Sequence, residues 1–211
     1  MPKIKVKRKS TFIDMTAMSD VTVLLLTFFM LTSTFLKKEP VQVATPGSVS
    51  DIKIPDKNVF SILISPKGQV FLDIDPITQD GTNNAREDVL NKMAEAYNIQ
   101  LTPKEISEFR NGTSFGVPMA NFKQFMAMQS EERDRILMNY GVPADSTQTR
   151  NEFKDWVQAA RAIKGKDMVI AIKSDKETPY SSIKDVMNTL LDLDENRYNL
   201  ITSLRELKEG E

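Results

Sequence analysis

The chain has 211 residues, 28 Lys and Arg against 29 Asp and Glu, a net charge of −1, and neither cysteine nor histidine. Those absences exclude disulfides, thiol nucleophiles, Cys/His zinc sites, Ser-His-Asp triads and imidazole proton relays. The balanced charge gives no global pull toward nucleic acid, and any proton chemistry falls to carboxylates or lysines.

Residues 1–14 form a basic tail in which Lys3, Lys5, Lys7, Arg8 and Lys9 precede the first acid, Asp14. By the positive-inside rule this end stays in the cytoplasm, so the bulk of the chain lies outside, in the periplasm of a two-membrane cell. Residues 15–36 are expected to cross the membrane. The uncharged run VTVLLLTFFMLTSTFL begins at Val21, but as a helix it covers only about 24 Å of a ~30 Å hydrocarbon core. A comfortable span must begin near Met15 or Ala17, which draws Asp20 into the membrane. An acid there is costly unless a partner, a water-filled path or a proton compensates it, which makes Asp20 the candidate proton carrier. The plain alternative is that Ser19 or Asp20 caps a helix starting at the headgroups. At about 100° per residue, Thr16, Asp20, Thr27 and Thr34 share a narrow polar stripe. Those hydroxyls either hold water near the acid or bond back to their own helix carbonyls. The run ends STFLKKEP with no A-x-A pattern, which favours a retained anchor over a cleaved signal peptide.

Residues 37–57 read as a linker. Lys37, Lys38, Glu39 and Pro40 stop the helix, and Pro46, Gly47 and Pro55 keep the chain extended. Val41/Val43 and Ile52/Ile54 alternate with polar residues and offer short strands to a partner. Residues 58–211 make one folded domain. VFSILI and QVFLDI, joined by SPKG, predict a hairpin over residues 59–74. Residues 75–166 then turn helical. Helices are expected over 84–97, from Pro103 behind its cap Thr102 to 110, over 119–129, from 130 to before Gly141, and over 147–163. In the last of these Phe153, Trp156, Val157, Ala160 and Ile163 share one face, and the Met-rich stretch 122–128 has the spacing of a core helix. Strand 168–173, helix 180–194 and strand 198–204 form a βαβ unit with a parallel pair. Acids at Asp192, Asp194 and Glu195 lack the spacing and glycine of a calcium loop. The fold class is therefore α+β: one N-terminal transmembrane helix, then an α/β domain of hairpin plus βαβ with a helical insertion at about 75–166.

IDMTAMSDVTVLLLTFFM, from Ile13 to Met30, resembles the membrane signature of the ExbD/TolR biopolymer-transport family, roughly I-N-V-T-P-[FL]-I-D-V-x-L-V-L-L-I-[IF]-F-M. Ile13, Thr16, Asp20, Val21, Leu24, Leu25, Leu26, Phe29 and Met30 fill matching positions without a gap. Asp14 stands where the family has Asn, Ala17 where it has Pro, and Ser19 where Ile is usual. Asp14 is thereby a rival proton site, set beside the basic tail where a solvated acid is cheap. SPKGQVFLD is similar to the family's first strands. MVIAIKSDKETPYSSIKDVMNTLLDL is similar to its strand–helix segment, with Lys173, Ser174, Asp175, Tyr180, Ile183, Val186 and Met187 in place, and RYNLIT to its final strand. The helical stretch 75–166 departs from typical members.

The resemblance implies an inner-membrane subunit of a proton-motive-force-driven motor, with Asp20 on the family's proton-carrying aspartate. It implies a homodimer inside a ring of polytopic ExbB/TolQ-like subunits, and a TonB-like periplasm-spanning partner that energises transport across the outer membrane. A TolR-like role in envelope integrity shares these features. A different class, a membrane-anchored periplasmic binding module with Asp20 as a mere cap, would use the helical insertion instead. No catalytic constellation points to an enzyme, and proton carriage by a carboxylate asks for no metal or cofactor.

Overall fold

The computed structural model describes residues 15–33, 43–48, 57–77, 84–144 and 151–204. Asp14, Thr34, Val41, Ile52 and Ile54 lie outside the described residues. The chain divides into two compact units, residues 1–37 and 38–211.

The first unit holds helix α1, Met15–Thr32, of 18 residues. Met15 is also the first described residue of the chain. No residue of α1 is buried, and Leu24, Leu25, Leu26, Phe28 and Phe29 are all exposed. An apolar helix with no buried face of its own needs hydrocarbon or other apolar helices around it. By length and composition α1 can cross a membrane, as a single-pass membrane protein requires.

The second unit is a mixed α/β domain. In chain order it contains β1 (Gly47–Ser48), β2 (Val59–Ile64), β3 (Val70–Ile74), α2 (Ala85–Ala96), α3 (Pro103–Asn111), α4 (Met119–Met126) and α5 (Ser130–Leu137). It continues with α6 (Glu152–Lys164), β4 (Val169–Ser174), α7 (Tyr180–Leu191), β5 (Tyr198–Ile201) and β6 (Ser203–Leu204). The main sheet has the order β3-β2-β4-β5. β2 and β3 are the expected antiparallel hairpin, with Ser65 accepting from Gly68 N–H at 2.8 Å and Gly68 at φ 77°, the left-handed region glycine enters without strain. β2–β4 and β4–β5 are parallel, and α7 joins the second pair. Cross-strand partners Ile74, Phe60 and Ile170 are fully buried on one face; Phe71, Leu63 and Ala171 are buried on the other. A sheet covered on both sides accounts for the nearly continuous apolar runs in its strands.

Capping explains several helix bounds. Thr102 and Glu105 form a capping box ahead of Pro103. Asn151 accepts from Lys154 N–H at 3.2 Å, so the described helix α6 begins at Glu152, inside the expected 147–163. α4 ends at Met126 and α7 at Leu191, each short of expectation. Past α7 the chain turns at Asp194, whose φ of 58° no helix continues. The expected closing strand is two: β5 stays in the main sheet, while β6 leaves it to pair in parallel with β1.

The helical stretch is tied to the sheet at three places. Its loops pair with the free edge of β3: Leu72 and Phe115 exchange backbone bonds of 2.7 and 2.8 Å, and Val142 N–H donates to Val70 O at 2.8 Å. Gly116 lies so close to Phe71 that a Cβ there would sit 2.2 Å from the ring. From α2, Arg86 reaches Asp73 at 2.8 Å, the carbonyls of Phe109 (3.2 Å) and Ile74 (3.3 Å), and that of Thr113. Its side chain is 3% exposed.

Arg86→Ala removes a donor from the Ile74, Thr113 and Phe109 carbonyls, of which Phe109 O keeps the Gly112 N–H at 3.2 Å, and leaves Asp73 without its cation. The expected cost is about 1–3 kcal/mol of stability. Chemical unfolding of the protein in detergent, followed by emission from the buried and sole tryptophan, Trp156, measures it.

Candidate functional site

In α1, MTAMSDVTVLLLTFFMLT, Asp20 is the only charged residue. It sits in the second turn and is exposed, as is the whole helix. Thr16, one turn before it, is in the same helix. Thr27 donates its hydroxyl proton to Leu24 O at 2.9 Å, as Thr22 does to Ser19 O at 2.8 Å and Thr32 to Phe28 O at 2.9 Å. These hydroxyls satisfy themselves within the helix, the ordinary habit of threonine among apolar neighbours.

In the α/β domain, residues 43–48 form a strap laid on the fold. Val43 is half-buried against the core. Ala44 N–H donates to Asp175 Oδ2 at 2.7 Å, and Ala44 O accepts from Lys176 N–H at 3.1 Å. Gly47–Ser48 then pair with Ser203–Leu204. Asp175 stands just past the end of β4 and folds its own turn: Oδ1 accepts from Glu177 N–H at 3.0 Å, and Asp175 N–H donates to the Thr178 hydroxyl at 3.0 Å. The N–H groups of Glu177 and Ala44 hold the Asp175 carboxyl below the ordinary 3.8, helped by the Lys176 backbone and charge and opposed by desolvation.

At the opposite end of the hairpin Lys164, at the end of α6, is fully buried. Its ammonium donates to Ile77 O at 2.9 Å and Asn58 Oδ1 at 3.3 Å, with Asp75 at 3.9 Å. Burial pushes it below the usual lysine range, and Asp75 pulls it back up. Sequence reasoning missed Arg86, Lys164 and the clasp role of Asp175. The one local signal was D-x-x-T after a strand, the pattern of a carboxylate and hydroxyl that close a turn.

Among the described residues no group of three or more His, Cys, Asp or Glu could hold a metal ion. The described residues thus comprise one apolar helix carrying a single carboxylate and a mixed α/β domain. The family model described as Biopolymer transport protein ExbD/TolR matches residues 6–204. The chain belongs to that family, whose members are non-catalytic subunits. No curated protein and no solved structure gives a significant match.

The strap has a pH signature. Because the Asp175 carboxyl binds its proton more weakly in the fold than in the unfolded chain, its stabilisation is complete above 3.8 and disappears as pH falls through the lower folded value. Amide exchange at Ala44, corrected for its intrinsic rate, should lose protection over that acid window. In Asp175→Asn the protection should be weaker throughout and the acid step absent.

Proposed function

We propose that this protein is the inner-membrane subunit of a motor of the ExbB–ExbD type, driven by the proton-motive force. Its N-terminus lies in the cytoplasm and its α/β domain in the periplasm. Two copies sit within a ring of ExbB/TolQ-like polytopic subunits, and the domain passes motion to a TonB-like periplasm-spanning protein that energises outer-membrane transport. The observation that carries this reading is Asp20, the single charge in α1, in a chain of the ExbD/TolR family.

The physical logic is a charge that can be switched off. A carboxylate in hydrocarbon is expensive, and its protonated form far less so. Neutral Asp20 can cross an apolar sector of the ring; on meeting a polar sector it releases the proton and is held there. Alternation between these states gives rotation a direction set by the proton gradient. Thr16 and Thr34 complete a stripe with Thr27, which contributes lone pairs. Asp14, next to the basic tail in the sequence, is the rival proton site. The helices α2–α6 between β3 and β4 are an insertion relative to typical members. Ile52 and Ile54 are the linker positions offered to a partner strand, together with Val41; Val43 packs on its own domain.

Asp20→Asn keeps the shape and removes ionisation. It should abolish growth on a substrate that needs active outer-membrane uptake, while the subunit still co-purifies with its ring. Growth at the wild-type rate would sink the proton role. Thr27→Val, which removes a hydroxyl already spent on Leu24 O, should retain most of the transport, and Asp14→Asn should be similarly mild.

A further inference from the structure

The order of the chain decides which bonds feel a pull first. Coming from α1, the first described residues of the α/β domain are 43–48, and Ala44 precedes β1. Ala44 is gripped on both sides of one residue, by the Asp175 carboxylate at its N–H and by Lys176 N–H at its carbonyl. The first of these bonds is charge-assisted and therefore the stronger. The β1–β6 pair comes later and, among the described residues, has two residues on each strand. It hangs from β5, the edge strand of the sheet.

Load at Asp175 takes a different route. Asp175 follows Ser174, the last residue of β4, directly in the chain. Its N–H donates to Ile64 O at 3.2 Å, at the end of β2. The Thr178 hydroxyl, which accepts from the same N–H, lies 3.3 Å from Ile64 O and 3.2 Å from Ser65 O. β2 and β4 are the two central strands and pair along six residues. A pull delivered there meets the stiffest part of the domain.

We propose that Asp175 is the positioning residue through which force from the membrane helix enters the α/β domain, holding the strap at Ala44 so that load passes into β2 and β4 and not into the β1–β6 pair. This rests on the motor reading above. The strap stays docked during the cycle and serves as an anchor.

The test uses the full-length protein with its ring in cells. Because the natural chain has no cysteine, Val43→Cys gives a single thiol that reports undocking through its rate of labelling by an impermeant maleimide. Adding Asp175→Asn places an amide NH₂ opposite a backbone N–H. It should raise labelling about tenfold and reduce energised transport severalfold, with ring assembly and proton passage unchanged. Ala44→Pro deletes the same hydrogen bond from the strap side and leaves the turn intact, so it should reproduce the loss if Asp175→Asn is degraded. In an Asp175→Asn background, Ala44→Cys with Lys176→Cys can re-attach the strap covalently. Transport should return when that disulfide forms and fall again on reduction. Normal transport in Asp175→Asn, or no rescue by a disulfide that has formed, overturns the anchor. If Asp20→Asn abolishes transport in the same cells, the motor reading survives that failure. If Asp20→Asn transports normally, the motor reading is wrong and the force role falls with it.

Discussion

Parallel pairing of β2 with β4 is the constraint from which the α/β domain follows. Antiparallel neighbours can be joined by a tight turn, as β2 and β3 are at Gly68, but a parallel neighbour cannot. The hairpin itself makes the return: β3 ends at Ile74, opposite Phe60, at the same end of the sheet where Val169 pairs with Val59. What remains is to carry the chain past β2 to its far side, and α2–α6 do this, leaving from and coming back to that one end. The connection does two further jobs. Its loops at Phe115 and Val142 pair with the outer edge of β3, which would otherwise present unpaired backbone to other chains. Its aromatic residues fill the space beside Phe71, with Phe109, Phe115 and Trp156 packed at ring separations of 4.7 to 6.3 Å.

A domain with no disulfide must hold so long a connection by packing and by a few buried polar contacts. Arg86 and Lys164 do this at its two ends. Arg86, from the first helix, gathers carbonyls of β3, α3 and the following loop around one guanidinium; it also lies 5.0 Å from the Phe109 ring centroid. Lys164, from the last helix, closes on Asn58 and Ile77, residues that flank the hairpin's open end. Each cation is desolvated, which costs free energy, and each recovers it only where its partners are in register. Both therefore reward one placement of the connection over its alternatives, even where an apolar side chain could fill the same volume.

Local features were legible in the sequence and long-range ones were not. The apolar helix α1 came from its uncharged run, the hairpin from SPKG, α3 from Thr102-Pro103, and α6 from the spacing of Phe153, Trp156 and Val157. Each rests on physics within a few residues. The strap was read as linker because nothing near Val43 and Ala44 shows that their partner is Asp175, 131 residues away. The split of the last strand has the same origin: β6 leaves the sheet because β1 takes it. At Thr27 the alternatives were open in the sequence; its hydroxyl lies 2.9 Å from Leu24 O.

The two units set the same side chain in opposite surroundings. Asp20 is the single charge of an apolar helix with no buried face. Asp175 lies just past the end of β4, where backbone N–H groups favour its carboxylate. The motor proposed above asks for both placements: a carboxylate that gives up its charge where apolar surroundings make that charge costly, and one that keeps it. In such a motor a proton-driven step is wasted if the chain it moves slips on the body it is meant to turn, and the residue that prevents slipping must not itself respond to the protons that drive the step. The N–H groups around Asp175 act in that direction.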